Sequence, residues 1–324
     1  MSCQTPIAFL IFRRPDLTAK VFEAIRQAQP HKLFIVADGA HNESEAILCQ
    51  QARAVTEVVD WDCEVFRNYA DENLGCRNRV SSGLDWVFSK VEEAIILEDD
   101  CLPDPSFFRY CDELIELYRN DTRIFSVCGS NFQQGHTRGN AGYYFSIYGD
   151  SWGWATWKRA WQHYKNAELN WFNFRDSQQF KNIFTIPQEI TYWTEILDEL
   201  FIHKRSSAWD YQWWLASWMN SGLHAWPNVC LVSNIGWDER STHTFGDDNP
   251  FAYLNTQSID DLVHPKYIVP DRNADNYAFL YRRGGQNIIE QGKLGLLYNW
   301  KLRLLNLQRK GFWSYIKKKL TRFI

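Results

Sequence analysis

The stretch Ala94-Ile95-Ile96-Leu97-Glu98-Asp99-Asp100 constrains the fold of this chain more than any other. Its apolar run reads as a strand covered on both faces, because a strand with one wet face alternates apolar and polar side chains. The run ends in three acids whose like charges repel, so the cluster is unfavourable unless a cation sits there. After a turn, Asp104 and Pro105 read as the N-cap and first position of a helix, with Phe107, Cys111, Leu114 and Tyr118 along one face. Acids at the carboxyl end of a buried strand, beside a helix start, lie where open α/β sheets bind ligands. The bland alternative is a solvated acidic turn. The strand in front of the acids favours a metal–phosphate site.

The residues before this stretch alternate strand and helix. Ile7–Phe12 reads as a strand, and Pro15 opens a helix carrying Leu17, Val21, Phe22 and Ile25. Leu33–Ala37 is a second strand ending at Asp38-Gly39, with a helix after it through Ala54, and Glu64–Phe66 is a third. Gly75 starts a helix with Val80, Leu84, Val87 and Phe88 at helical spacing, and Ile124–Val127 adds a later strand. Short links between such elements imply a mixed, mostly parallel sheet with helices on both faces. No G-x-G-x-x-G follows the first strand and no G-x-x-x-x-G-K-S/T occurs, which disfavours a dinucleotide dehydrogenase and a P-loop enzyme. The 324 residues suffice for one large or two modest domains.

The middle of the chain is aromatic. The sequence holds 16 Trp, 15 Tyr and 21 Phe, whose flat faces suit sugar rings and interfaces, or alternatively a Trp-heavy core. Tyr143–Tyr148 reads as a strand followed by Asp150-Ser151-Trp152-Gly153-Trp154, where Gly153 implies close approach of a ligand or a packed neighbour. Residues 166–205 suit a helical insertion covering the sheet. In Ala208-Trp209-Asp210-Tyr211-Gln212-Trp213-Trp214 a helix begins, and its acid sits among four aromatics that would raise its pKa. Asp210 is there either a general base or a helix N-cap. Val229–Val232 reads as a late strand, and Ser241-Thr242-His243 as part of a loop.

Charge and cysteine content narrow the class. A net charge of −4 makes no case for a nucleic-acid partner. Eight Cys without a C-x-x-C pair argue against a zinc cage or disulfide framework and for a reducing compartment. No secretory signal and no apolar run near the ~18 residues of a spanning helix is visible, so a cytoplasmic protein is expected. From Arg282 onward there are eleven Lys or Arg against one acid. Leu294–Leu307 and Phe312–Ile324 mix these with apolar residues at helical spacing, which suits an anionic membrane surface or docking on the body. The expected organisation is one domain over residues 1–280, with nucleotide binding assigned to residues 1–130 and acceptor binding to residues 131–280. A basic helical tail over residues 281–324 follows it.

The order of apolar strand, Arg13, Pro15, Asp38 and then Glu98-Asp99-Asp100 resembles the GT-A fold glycosyltransferases. The likeness is nearest to inverting, mannose-directed N-acetylglucosaminyltransferases, in which an acidic triplet precedes Pro-Asp-Phe-Phe, and extends to bacterial family-2-like sugar transferases. Here Pro103-Asp104-Pro105-Ser106-Phe107-Phe108 has that look with an extra Pro-Ser, and the resemblance spans residues 5–245. It implies that Asp100 binds Mn²⁺ or Mg²⁺, that Asp99 faces the ribose and Glu98 the sugar, and that Arg13 and Asp38 hold the nucleotide. It places a basic residue at Arg79, with Arg77 an equal geometric candidate. Trp154 would wall the sugar pocket, Asp210 would be the catalytic base, and His243 a second metal ligand. Where the family has two adjacent acids, this chain has Asp210-Tyr211. The implied reaction is inverting transfer from a nucleotide sugar, a UDP-sugar favoured, to a hydroxyl of a glycan or lipid-linked glycan in surface-glycan synthesis. The implied location is cytoplasmic or peripheral on the inner membrane face. Two other classes compete. A sugar-nucleotide nucleotidyltransferase would need a Gly-rich, basic loop after the first strand, and Ile11-Phe12-Arg13-Arg14-Pro15 is not one. A non-catalytic carbohydrate-binding protein would use the Trp but not the acidic triplet.

Overall fold

The computed structural model describes residues 2–238 and 250–291. The N-terminal region alternates β1 (Ile7–Ile11), α1 (Pro15–Ala28), β2 (Lys32–Ala37), α2 (Glu43–Val55), β3 (Glu64–Tyr69), α3 (Cys76–Phe88) and β4 (Glu93–Glu98). There follow β5 (Cys101–Pro103), α4 (Pro105–Leu117), β6 (Ile124–Cys128), β7 (Tyr143–Ser146) and β8 (Trp154–Trp157). A helical stretch comprises α5 (Lys158–Trp161), α6 (Tyr164–Arg175), α7 (Gln178–Lys181), α8 (Pro187–Phe201) and α9 (Asp210–Met219). The described chain closes with β9 (Leu223–Pro227), β10 (Val232–Asn234) and α10 (Arg272–Tyr277), which runs into a π-helical turn over Ala278–Arg282.

Eight strands form one sheet in the order β3-β2-β1-β4-β8-β6-β9-β7. Strands β1 to β4 are mutually parallel where they pair; β8 is antiparallel to both β4 and β6, and β7 to β9. The result is an α/β architecture with a mixed sheet flanked by helices, compatible with a Rossmann-like fold. The burial explains the local sequence. Strands β1 and β6 are buried at every position, as an apolar run demands, whereas edge strand β3 is only half-buried. Helix α1 starts on Pro15 and buries Leu17, Val21, Phe22 and Ile25. In α4 the Asp104 carboxylate accepts from Ser106 N at 2.9 Å, the capping bond its sequence implied.

One expectation is revised and two alternatives are resolved. The late strand is Val232–Asn234 rather than Val229–Val232. The backbone before it is engaged elsewhere, with Leu231 N donating to Gly129 O and Asp104 N to Leu231 O. It pairs with β5, not with the main sheet. Gly153 adopts φ +64°, and a Cβ there would lie 2.7 Å from a Val232 methyl, so a packed neighbour accounts for it. Most of the Trp are core: Trp154, Trp157, Trp171, Trp193, Trp213 and Trp214 are wholly buried. His243 and the basic stretches from Leu294 lie outside the described residues.

Candidate active site

In this strand order β1 and β4 are neighbours whose following connections leave to opposite sides, and the crevice at their carboxyl ends is where such sheets bind ligands. Arg13-Arg14 follows β1, and Glu98-Asp99-Asp100 closes β4. The two ends are tied together: Phe12 N donates to Asp99 Oδ2 at 3.0 Å, and Arg14 Nη1 pairs with Asp100 Oδ2 at 3.0 Å. Arg14 is buried as the N-cap residue of α1, and Thr18 donates to its carbonyl through both backbone and hydroxyl. The β5–β10 ladder then folds the chain back, so that Ile235 N donates to Asp100 O at 2.8 Å. A Cβ on Gly236 would strike Asp100 Oδ2 and lie 2.6 Å from Arg14 Nη1, so only glycine lets this loop close over the pair.

The acids lie close enough to act on one another electrostatically, and the space they share is called the chamber below. Burial pushes the Glu98 carboxyl well above its usual range, and Asp100, Asp99, Asp210 and Asp150 push it further. Burial raises Asp99 to about 7, with Asp100 adding to it and the Phe12 N–H opposing. Asp210 is the first residue of α9, not its N-cap; that position is Trp209, which makes no side-chain cap bond. Burial raises Asp210 too, Asp150 reinforces the shift, and Arg283 and Arg282 oppose it. Asp210 therefore lies within electrostatic reach of the triplet from the opposite end of the chain's order. Cys76, at the first position of α3, is also among these acids. Burial and the charges of Glu98, Asp210, Asp38 and Asp100 raise its thiol far from ionisation, so it is no nucleophile.

Other residues singled out from sequence have different surroundings. Arg13 pairs with Glu45 and not with an acid of the triplet. Asp38 is buried and accepts from Gly39 N, Leu74 N and Gly75 N at 2.9, 2.9 and 3.1 Å, bracing the loop before α3. Arg79 bonds the carbonyl and side chain of Asn68 in β3. Arg77 reaches Gln212 and Glu168 instead, pinning α3 to α9 and α6. Trp154 is wholly buried among Trp161, Trp209 and Trp213, and its half-buried neighbour Trp152 packs against Phe132 and Trp237.

Four side chains that sequence reading did not assign lie beside these acids or their aromatic neighbours. Asp150, in the β7–β8 loop, is buried and pairs with Arg282 Nη2 at 2.8 Å. The Arg282 guanidinium lies 3.3 Å from the Phe132 ring centroid and 5.6 Å from that of Trp152. Arg283 stacks 4.4 Å over Trp214 and borders Trp193 and Tyr211. The buried Trp237 indole N–H has no hydrogen-bond partner among the described residues, and its ring meets Trp152 edge-on. The only sequence signal for the arginines was their basic character, which merged them with the tail.

Among the described residues no group of three or more His, Cys, Asp or Glu is arranged to hold a metal ion. The donor chemistry nonetheless fits a divalent cation that uses one or two carboxylates and takes its other ligands from phosphate and water. Asp100 Oδ2 is occupied by Arg14, while Oδ1, among the described residues, accepts from the Cys101 thiol at 3.5 Å. Glu98 has no ion-pair partner among the described residues, although its position is made unfavourable by four neighbouring acids. An open groove of about 1210 Å³ between α1 and α4 is lined by none of the chamber acids and plays no part here. Among the described residues no helix is long and apolar enough to cross a membrane. Compared with known proteins, the chain matches no family model and no curated protein sequence.

Proposed function

We propose that this chain is a metal-dependent glycosyltransferase of GT-A type that moves a sugar from a nucleotide sugar to an acceptor hydroxyl with inversion. The observation that carries the reading is the convergence of Glu98-Asp99-Asp100, at the β1–β4 crevice, with Asp210 from α9. A donor diphosphate would lie at the carboxyl ends of β1 and β4, with Arg14 holding Asp100 in place. Mn²⁺ or Mg²⁺ at Asp100 Oδ1 would supply charge neutralisation for the departing nucleoside diphosphate. Asp210, opposite the triplet, takes the proton from the acceptor hydroxyl as that oxygen attacks the anomeric carbon. Its raised pKa makes it a better base than a free Asp, and Arg283 and Arg282 keep the carboxylate available. Trp152 and Trp237 offer flat faces and a free indole N–H for a sugar ring. A non-catalytic carbohydrate-binding protein has no use for mutually repelling carboxylates.

The test is thermal stabilisation by a panel of nucleotide sugars with and without Mn²⁺, on the natural chain and on Asp100→Ala. A ligand that binds only the native state raises its melting temperature. The natural chain should gain stability only when nucleotide and metal are both present, and Asp100→Ala should lose that gain together with transfer. Full transfer in EDTA, or by Asp100→Ala, would refute the metal-dependent reading.

A further inference from the structure

The arginines around the crevice differ in one respect. Arg13 pairs with Glu45, Arg14 with Asp100, Arg77 with Glu168 and Arg282 with Asp150. Arg53 donates to the carbonyls of Asp38 and Ala70, and Arg79 to Asn68. Among the described residues, only Arg283 of this set has neither a carboxylate within ion-pair distance nor a carbonyl to bond; its polar neighbour is the Tyr211 hydroxyl, with which it shares a hydrogen bond. Its neighbours are instead aromatic: the flat face of the guanidinium covers Trp214, with Trp193 and Tyr211 at its border.

That placement is set by helix geometry. Asp210 and Trp214 stand four residues apart in α9, so they share a face with the ring about one turn, ~5.4 Å, beyond the carboxylate. A guanidinium stacked on that ring therefore lies beside the candidate base, whose charge it opposes. Stacking uses the π face of the guanidinium and leaves its N–H edge to donate in plane, which is the geometry that grips a carboxylate or phosphate through two parallel bonds. The void on the other side, lined by Phe132, Tyr144, Tyr148 and both arginines, has room for about 10 Å³, a single water. It offers no space for a ligand.

The geometry points to Arg283 as the docking point for an oxyanion on the acceptor, so that the transferase takes acceptors bearing a carboxylate or phosphate close to the reacting hydroxyl. This rests on the transferase reading, since it assigns the α9 side of the chamber to the acceptor. The donor diphosphate belongs to the β1–β4 side, where Arg14 and Asp100 stand. An acceptor ring would lie against the part-exposed Tyr211, its hydroxyl towards Asp210 and its anionic group on the Arg283 edge.

Binding can be read without turnover, from tryptophan fluorescence during titration with methyl β-glucuronide, a phosphorylated methyl glucoside and neutral methyl β-glucoside. The unaltered chain should bind at least one anionic glycoside tenfold or more tightly than the neutral one, and the two anionic arms identify which oxyanion is preferred. Arg283→Gln should abolish that preference and leave the neutral glycoside's affinity unchanged. Arg283→Lys, which keeps the charge but not the fork, should retain some of it and serves if the Gln variant does not fold. Equal binding of anionic and neutral glycosides, no glycoside binding at all, or a preference surviving in Arg283→Gln would overturn the assignment. UDP with Mn²⁺ is the control: a loss of its affinity in Arg283→Gln would assign the arginine to the donor and also overturn it. Failure of the transferase reading would appear separately, as a metal–nucleotide response that is absent in every variant.

Discussion

Replacing Arg282 tests whether the end of the described chain belongs to the body or is merely the start of a basic tail. Its pair with Asp150 is little exposed, the side chains being 14% and 3% accessible, so solvent screening is slight. Removing one partner of such a pair leaves the other charge buried and uncompensated, at a cost of about 3–5 kcal/mol. The aromatic contacts of the guanidinium with Phe132 and Trp152 contribute on the order of a further 1 kcal/mol. Gln at 282 can still donate one N–H, so Arg282→Gln should destabilise the chain by about 3 kcal/mol, the lower end of that range. A solvated tail arginine would change stability by no more than about 0.5 kcal/mol. Urea unfolding followed by tryptophan fluorescence measures the difference, and a double-mutant cycle with Asp150→Asn isolates the pair. The double variant, with no charge left to strand, should be more stable than the sum of the single losses implies by about 2 kcal/mol or more. A loss below about 1 kcal/mol in Arg282→Gln, or strict additivity in the cycle, would refute the argument.

Asp210→Asn keeps the shape of the side chain and removes the proton acceptor, so turnover should fall by roughly 10²-fold or more with nucleotide affinity nearly unchanged; turnover at the natural rate would place the base elsewhere. Glu98→Gln should stabilise the metal-free chain at alkaline pH, because the folded pKa of Glu98 lies well above its usual value. The natural chain loses stability as pH rises from the unfolded value through the raised folded one, and below that window both states are protonated and the advantage of Gln disappears. Melting curves at pH 5 and pH 8 measure it, and an advantage that is equal at both, or larger at pH 5, would contradict the charge argument.

The strands were legible because burial on both faces removes alternation, and β1, β2 and β4 carry that mark residue by residue. The acidic turn was legible for the complementary reason, since charges that a core cannot absorb stand out after an apolar run. What sequence could not supply was direction. Arg13 and Arg14 are adjacent, yet one turns to Glu45 and the other to Asp100, and composition does not distinguish them. The insertion of β8 between β4 and β6 depends on pairing across long stretches of chain, and it is what places Trp154 in the core. Asp150 looked like one more loop acid, and Arg282 and Arg283 like tail residues, because the partners that define Asp150 and Arg282 are more than a hundred residues apart in the chain and those of Arg283 are distant too. Asp210 was left between base and cap, and the structure removes the cap by putting Trp209 in that position.

The chamber's charges bear on why such a cluster is tolerated. Glu98, Asp99, Asp100, Asp150 and Asp210 stand near Arg14, Arg282 and Arg283, and Asp16 adds its charge at Asp99, so among the described residues the acids of the cluster outnumber its fixed cations. A divalent ion would offset that excess. Without it the fold has another way out, and the raised Glu98 and Asp99 take it by holding protons. A cation bound there would compete with those protons for the same carboxylates and would release them. The acids are thus poised by the sheet that buries them. The two strand ends at the crevice hold Asp99 and Asp100 by backbone and guanidinium, so the cluster cannot relax by swinging out into water. The free energy stored in their repulsion is available to whatever positive charge enters, and a protein using that turn only as a solvated surface loop would have no reason to clamp it from both sides.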